Sequence, residues 1–205
     1  MSVVNMLETL TEWARQNICE HIKLKVPPEN SAPDDSGYAY NLATPAAFAM
    51  YVPTSDKLPP GVHAPFPSLC VRFVTGQDVP AEESGSVEVQ LCFSAWDPGT
   101  HGEDVLLPNG DGTVRRWTGA EADAYFRRNG EGWRDAWNFV DIALRAVESV
   151  TSIGGYTIDR AKPIKFGPLT EQEAIPDFYP MWFAWVSFTV NYPLRRNIQD
   201  LQKFL

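Results

Sequence analysis

Hydrophobic residues near the start of the chain recur with a helical period. Val3, Met6, Leu7, Leu10, Trp13, Ala14, Ile18 and Ile22 lie three and four positions apart, which predicts an amphipathic helix over residues 3–22. Glu8, Glu12, Arg15, Gln16 and Glu20 fall on the opposite face and read as a solvated surface. The period then dissolves. Prolines 27, 28, 33, 45, 53, 59, 60, 65 and 67 exclude any long regular element between residues 26 and 67. This excursion still holds Tyr38, Tyr40, Phe48, Met50 and Tyr51, so it is expected to lie over the core or over a neighbouring subunit.

Alternation follows. "SLCVRFVTG" and "SVEVQLCFSAWDP" read as two strands. In the second, Val87, Val89, Leu91, Phe93 and Ala95 alternate with Glu88, Gln90, Cys92, Ser94 and Trp96, the period of a strand buried on one face. The two pair as a hairpin with Leu69, Val71 and Phe73 on the matching face, and Asp78, Glu82 and Glu83 of the link "QDVPAEESG" are placed at its exposed tip. Residues 97–130 are polar and glycine-rich, with "PNGDGT" as a turn. A second helix is predicted over 131–150 from Trp133, Trp137, Val140, Leu144 and Val147, ended by Gly154 and Gly155. Short strands at 156–159 and 164–167 precede a long one, "MWFAWVSFTVNY", with Trp182, Ala184, Val186, Phe188, Val190 and Tyr192 on one face.

The expected fold is α+β: an antiparallel sheet with helices packed on one face. It forms a single domain over residues 1–205, with long loop insertions at 27–67 and 98–129. Helices on one face leave Phe183 and Trp185 on the other. Exposed aromatic patches mark partner surfaces, whereas the proline-rich excursion could equally cover these two rings, and both readings stand.

Charge narrows the partners. With 17 basic and 26 acidic residues the formal net charge is -9, which opposes a nucleic-acid backbone and favours a protein or small-molecule partner. Cys19, Cys70 and Cys92 are isolated and form no zinc or redox pair, so they read as small buried hydrophobes in a reducing compartment. The N-terminus lacks the layout of a secretion signal. Residues 181–190 fall short of the ~20 apolar residues that span a bilayer, so folding in the cytosol is expected.

Candidate chemistry is sparse. Cys92 with His101 and Asp104 would be the nucleophile, base and orienter of a covalent mechanism, but Cys92 lies mid-strand and no glycine elbow surrounds it. His21, His63 and His101 are scattered, "HGED" at 101–104 is the one ligand-like cluster, and "NGDG" at 109–112 lacks the distal glutamate of a calcium loop. "SIGGYT" reads as a helix end and turn rather than a phosphate cradle. Arg115 and Arg116 beside Trp117 sit in acidic surroundings and read as a salt-bridged loop. The expectation is therefore no catalysis, no metal and no cofactor.

In order and texture, "PSLCVRFVTGQDV…SVEVQLCFSAWDPG", "GWRDAWNFVDIALRAVES" and "IKFGPLTEQEAIPDFYP" leading into "YPMWFAWVSFTVNYPLRR" resemble the tail terminator, or tail completion, proteins of tailed bacteriophages and phage-tail-like bacteriocins. The resemblance covers most of residues 67–196 and, in outline, the N-terminal helix. It implies a structural protein that assembles as a ring, usually a hexamer, on the last ring of tail-tube subunits, ends polymerisation and offers a docking surface to the head or head-completion proteins. In contractile systems the sheath is a further partner, and the place of action is the virion tail or tail-like particle. Within that picture Asp78, Glu82 and Glu83 are candidates for tube or lumen contact, and Phe183 and Trp185 for the subunit interface. The alternative is a small acidic protein-binding module such as an immunity protein.

Overall fold

In the computed structural model, the described residues are 2–27, 42–62, 64–97, 106–108, 111, 113–116, 132–171, 175–176 and 178–194. The candidates His63, His101, Asp104 and Trp117 lie outside them.

Helix α1 spans Val3–Asn17, with Ser2 as N-cap accepting a hydrogen bond from the Val4 amide at 3.2 Å, which satisfies one of the amides a helix start leaves unpaired. Met6, Leu10 and Ala14 form its buried stripe. The helix ends earlier than its hydrophobic period suggests, because the chain turns through a 3-10 segment at Cys19–His21. On the outer face Arg15 bridges Glu12 and Glu20, exposed pairs of little energetic weight.

Helix α2 spans Trp133–Ser149. The predicted stripe is rotated: Ala136, Phe139, Val140, Ala143 and Val147 are buried, while Trp133 is exposed and Trp137 and Leu144 sit on the flank. Two alanines let the helix approach the sheet closely, and Phe139 then reaches the Phe93 ring, 4.7 Å away between centroids. Arg160 donates from Nη2 to the carbonyls of Val147, Glu148 and Val150, satisfying acceptors that the helix end leaves without partners.

The strands are β1 (Leu24–Lys25), β2 (Leu42–Ala43), β3 (Ala46–Ala49), β4 (Ser68–Val79), β5 (Ser84–Trp96), β6 (Leu106–Pro108), β7 (Val114–Arg116), β8 (Ser152–Ile153), β9 (Tyr156–Ile158), β10 (Lys165–Pro168) and β11 (Met181–Pro193). The main sheet runs β3-β4-β5-β11-β9-β8, with β10 also on β11, and β1-β2 and β6-β7 form separate pairs. It is antiparallel except for β3, which joins β4 in parallel, so the proline-rich excursion supplies an edge strand as well as loops. β5 and β11 pair from Met181↔Trp96 to Pro193↔Ser84. Leu69, Val71, Val89, Leu91, Phe93, Ala184, Val186, Phe188 and Val190 form the core under both helices, as the alternation predicts.

Two glycine-bearing links differ from the sequence reading. Gly154 and Gly155, at φ +56 and +90, do not end α2. They make the two-residue turn between β8 and β9, where Ile153 faces Tyr156 and positive φ is required. The long hairpin is mostly ladder, because Gln77↔Ser86, Asp78↔Gly85 and Val79↔Ser84 are paired. Only Pro80–Glu83 remain as the tip, with Glu83 left-handed at φ 49.

Asp78 is therefore a strand residue, and its Oδ1 accepts from the Tyr192 hydroxyl at 2.8 Å. Gly85 makes room for this bond: a Cβ there would lie 2.5 Å from Tyr192 Cε2 and 2.8 Å from Asp78 Oδ1. Gly85→Ala is expected to destabilise the chain by about 1–3 kcal/mol through overpacking, read as a lower denaturation midpoint at unchanged slope. A loss below the scatter of the titration would contradict the close approach.

Candidate functional site

The outer face of the sheet is graded along its strands. The Ser187–Gln90–Arg72 row is polar, with Arg72 Nε donating to Gln90 Oε1 at 2.7 Å and Ser187 Oγ donating to Glu88 Oε1 at 3.2 Å. Towards the start of β11 the rows turn apolar: Trp185 faces Cys92, Cys92 faces Cys70 and Cys70 faces Phe48. Beyond them Ser94 and Ser68 share a buried hydrogen bond of 2.7 Å between their hydroxyls beside Phe183.

Phe183 and Trp185, the two candidate interface residues, are both half-buried. Phe183 sits between two edge-on rings, Phe66 at 6.4 Å from the proline-rich excursion and Phe178 at 5.6 Å from the link before β11. Trp185 donates its indole N–H to the Pro168 carbonyl at 2.9 Å, and its ring lies over Gly167, where a Cβ would come within 3.2 Å. Both are thus partly covered from within the chain, and part of that cover is the excursion.

Beside Phe183 the surface opens into a cleft of about 420 Å³ between the start of α2 and the segment joining β10 to β11. Trp133, Leu169, Ile175 and Phe178 line it and are 44%, 42%, 71% and 46% exposed. Beside it Phe166, 52% exposed, stands edge-on to Trp137 at 6.4 Å. Arg134 lies over the Trp133 ring at 5.5 Å. These large hydrophobic groups are exposed together at one end of the sheet rather than scattered singly over the surface. Of the cleft residues, the sequence singles out Phe183 as an interface candidate and not Trp133, Leu169, Ile175 or Phe178. The signal available was the run of apolar residues on both sides of an acidic link, which carries no period of its own.

Beneath the cleft Trp182 Nε1 donates to the Asp97 carbonyl at 3.0 Å. The Asp97 carboxylate is buried and paired with Lys25 Nζ at 2.6 Å. Asp135, in the first turn of α2, has its carboxyl pushed up from the ordinary range, chiefly by burial and then by the charge of Asp97, with Lys25 acting the other way. This is an electrostatic anchor for the end of β5, not an acid-base pair facing solvent. Glu82 and Glu83 are exposed at the hairpin tip, at the opposite end of β11.

Cys92 is half-buried mid-strand, and burial raises its thiol, as it does those of Cys19, to about 12, and Cys70, to about 11. All three are poor nucleophiles at neutral pH. Among the described residues no helix is long and apolar enough to cross a membrane. The chain matches no protein-family model and no curated protein.

Proposed function

We propose that this protein is a tail terminator: a structural subunit that closes into a ring, a hexamer on the resemblance, upon the end of a phage or phage-tail-like tube. The ring halts tube polymerisation and presents the joining surface for the head. The observation that carries the reading is the aromatic cleft, an unpartnered apolar surface of the kind a head-to-tail ring contact requires, on a sheet whose order of elements resembles that family. The surface reserve of negative charge is consistent with a channel through which DNA passes without sticking.

Phe183 contributes to the subunit interface from within the cleft, and Trp185 from the next outward-facing position along β11. Glu82 and Glu83 meet the tube or line the lumen from the hairpin tip, and Asp78 holds the tip in place through Tyr192. The tube protein is the first partner, with sheath and neck proteins after it, all within the bacterial host.

Electron microscopy of particles made with and without the gene tests this directly. Overlong tubes of variable length are expected when the protein is missing. Tubes of normal, uniform length would sink the proposal.

A further inference from the structure

A polar pocket of about 280 Å³ opens on the outer face of the sheet, further along β11 than the aromatic cleft. Its floor is the row Thr75, Glu88 and Thr189, one residue from each of β4, β5 and β11. Its wall is the link from β9 into β10, which carries Lys162 and Lys165. The link is tied down along its length. The Asp159 amide donates to the Thr189 carbonyl at 2.8 Å, the Ala161 amide to Asp159 Oδ1 at 3.1 Å, and Arg160 Nη2 to the Val147 carbonyl at 2.8 Å. Lys165 then pairs opposite Ser187. The two lysines are thus presented from a fixed backbone, which lowers the ordering cost of binding.

The polar groups of this pocket are not used up within the chain. Thr189 is 8% exposed, and its hydroxyl has no hydrogen-bond partner among the described residues. Buried hydroxyls are ordinarily paired, so the partner of this one comes from outside the chain. The ammonium groups of Lys162 and Lys165 make no ion pair or hydrogen bond among the described residues, although Glu88 lines the same pocket. Glu88 Oε1 accepts from Ser187 Oγ at 3.2 Å, and Oε2 has no partner among the described residues.

Charge and size define what fits. Two ammoniums and one carboxylate give the pocket +1 in a chain of net charge -9, a local attraction for anions on a body that otherwise repels them. An apolar ligand would bury the Thr189 hydroxyl and the Glu88 carboxylate unpaired, which is costly. A bare anion would satisfy the lysines but meet Glu88 with a like charge. The volume is near the lower end for small-molecule sites and leaves room for a few carbons.

We infer that this pocket binds a small hydroxylated oxyanion, a phosphorylated or carboxylated polyol, with its anionic group between Lys162 and Lys165 and its hydroxyls on Glu88 and Thr189. Each ammonium acts as a point charge towards the oxyanion. Glu88 accepts from a ligand hydroxyl, and Thr189 donates to a ligand oxygen. The site uses neither the aromatic cleft nor the hairpin tip, so it stands independently of the ring.

Nuclear magnetic resonance titration of the full chain at constant ionic strength tests the site, with glycerol 3-phosphate and glycerate as probes. At least one should move the Thr189 and Lys165 amide resonances saturably, with a dissociation constant below about 1 mM, and the tighter of the two identifies the anionic group. Glycerol and inorganic phosphate, each carrying only part of that chemistry, should bind at least about tenfold more weakly. Lys162→Ala and Lys165→Ala should each weaken the tighter probe about tenfold. Lys23→Ala, exposed and outside the pocket, should leave it unchanged. Thr189→Val should weaken binding several-fold without lowering the urea midpoint of the free chain, because no hydrogen bond within the chain is lost. Absence of saturation with both probes would overturn the inference. So would inorganic phosphate binding as tightly as the better probe, or Lys23→Ala matching the effect of the pocket lysines. A Thr189→Val chain that is less stable yet binds as before would assign that hydroxyl to the fold and overturn it too.

Discussion

Phe93→Ala is expected to cost about 3–5 kcal/mol of stability, the range for removing a fully buried aromatic ring. Phe93 is 1% exposed and Phe139 0%, and their rings meet at 46° with centroids 4.7 Å apart, so the pair joins α2 to the middle of the sheet. The neighbours of Phe93 on the adjoining strands are Leu69 and Ala184. Neither can refill the space, because the ladder fixes Leu69 and Ala184 is too small. Urea denaturation should show a lower midpoint with an unchanged slope. A loss under about 1 kcal/mol would mean that the site collapses and that the helix is not held by this contact.

Lys25→Ala should cost about 3 kcal/mol at neutral pH, towards the lower end of what breaking a buried ion pair costs, since the lysine side chain is 22% exposed and the aspartate side chain 6%. Without the ammonium, the Asp97 carboxylate stays buried beside Asp135, whose carboxyl is already raised by burial and by Asp97. For an acid whose folded pKa is raised, the stability is present below the unfolded pKa and lost as pH rises through the folded one. The penalty of Lys25→Ala should therefore be greatest at neutral pH and shrink as the medium is acidified towards the ordinary aspartate range. Thermal melts of the variant across pH 4–7 measure it, and adding Asp97→Asn should recover much of the loss at pH 7. A penalty independent of pH would assign the effect to lost packing of the lysine stem instead.

How far these features were legible depends on whether they repeat locally. The alternation in β11 is a property of a few neighbouring residues, so the face bearing Ala184, Val186, Phe188 and Val190 could be assigned from sequence. The stripe of α2 was misjudged because tryptophans were weighted over alanines, although Ala136 and Ala143 are the residues that let the helix approach. β3 was missed since "AAFA" has no polar alternation, and its place is set by Ser68–Val71 of β4, a partner over twenty residues away. The cleft was the least legible feature. Phe66, Phe178 and Phe183 converge from three segments, and Trp133 joins them from a fourth, so only the folded chain brings them together.

The order in which the sheet is threaded sets a schedule for making this protein. β11 is the last described strand to leave the ribosome, yet it occupies the middle of the sheet, flanked by β5 on one side and by β9 and β10 on the other. Until residue 193 has emerged, β5 presents a 13-residue open edge, and Leu91 and Phe93 have β4 on one side only, without Val186 and Ala184 on the other to complete the core under α2. Such an edge is a template for pairing with other chains, and the closing contacts are long-range and slow to form. The sheet therefore closes only once β11 has emerged, with the nascent chain most vulnerable to aggregation in the interval when all but its central strand exists.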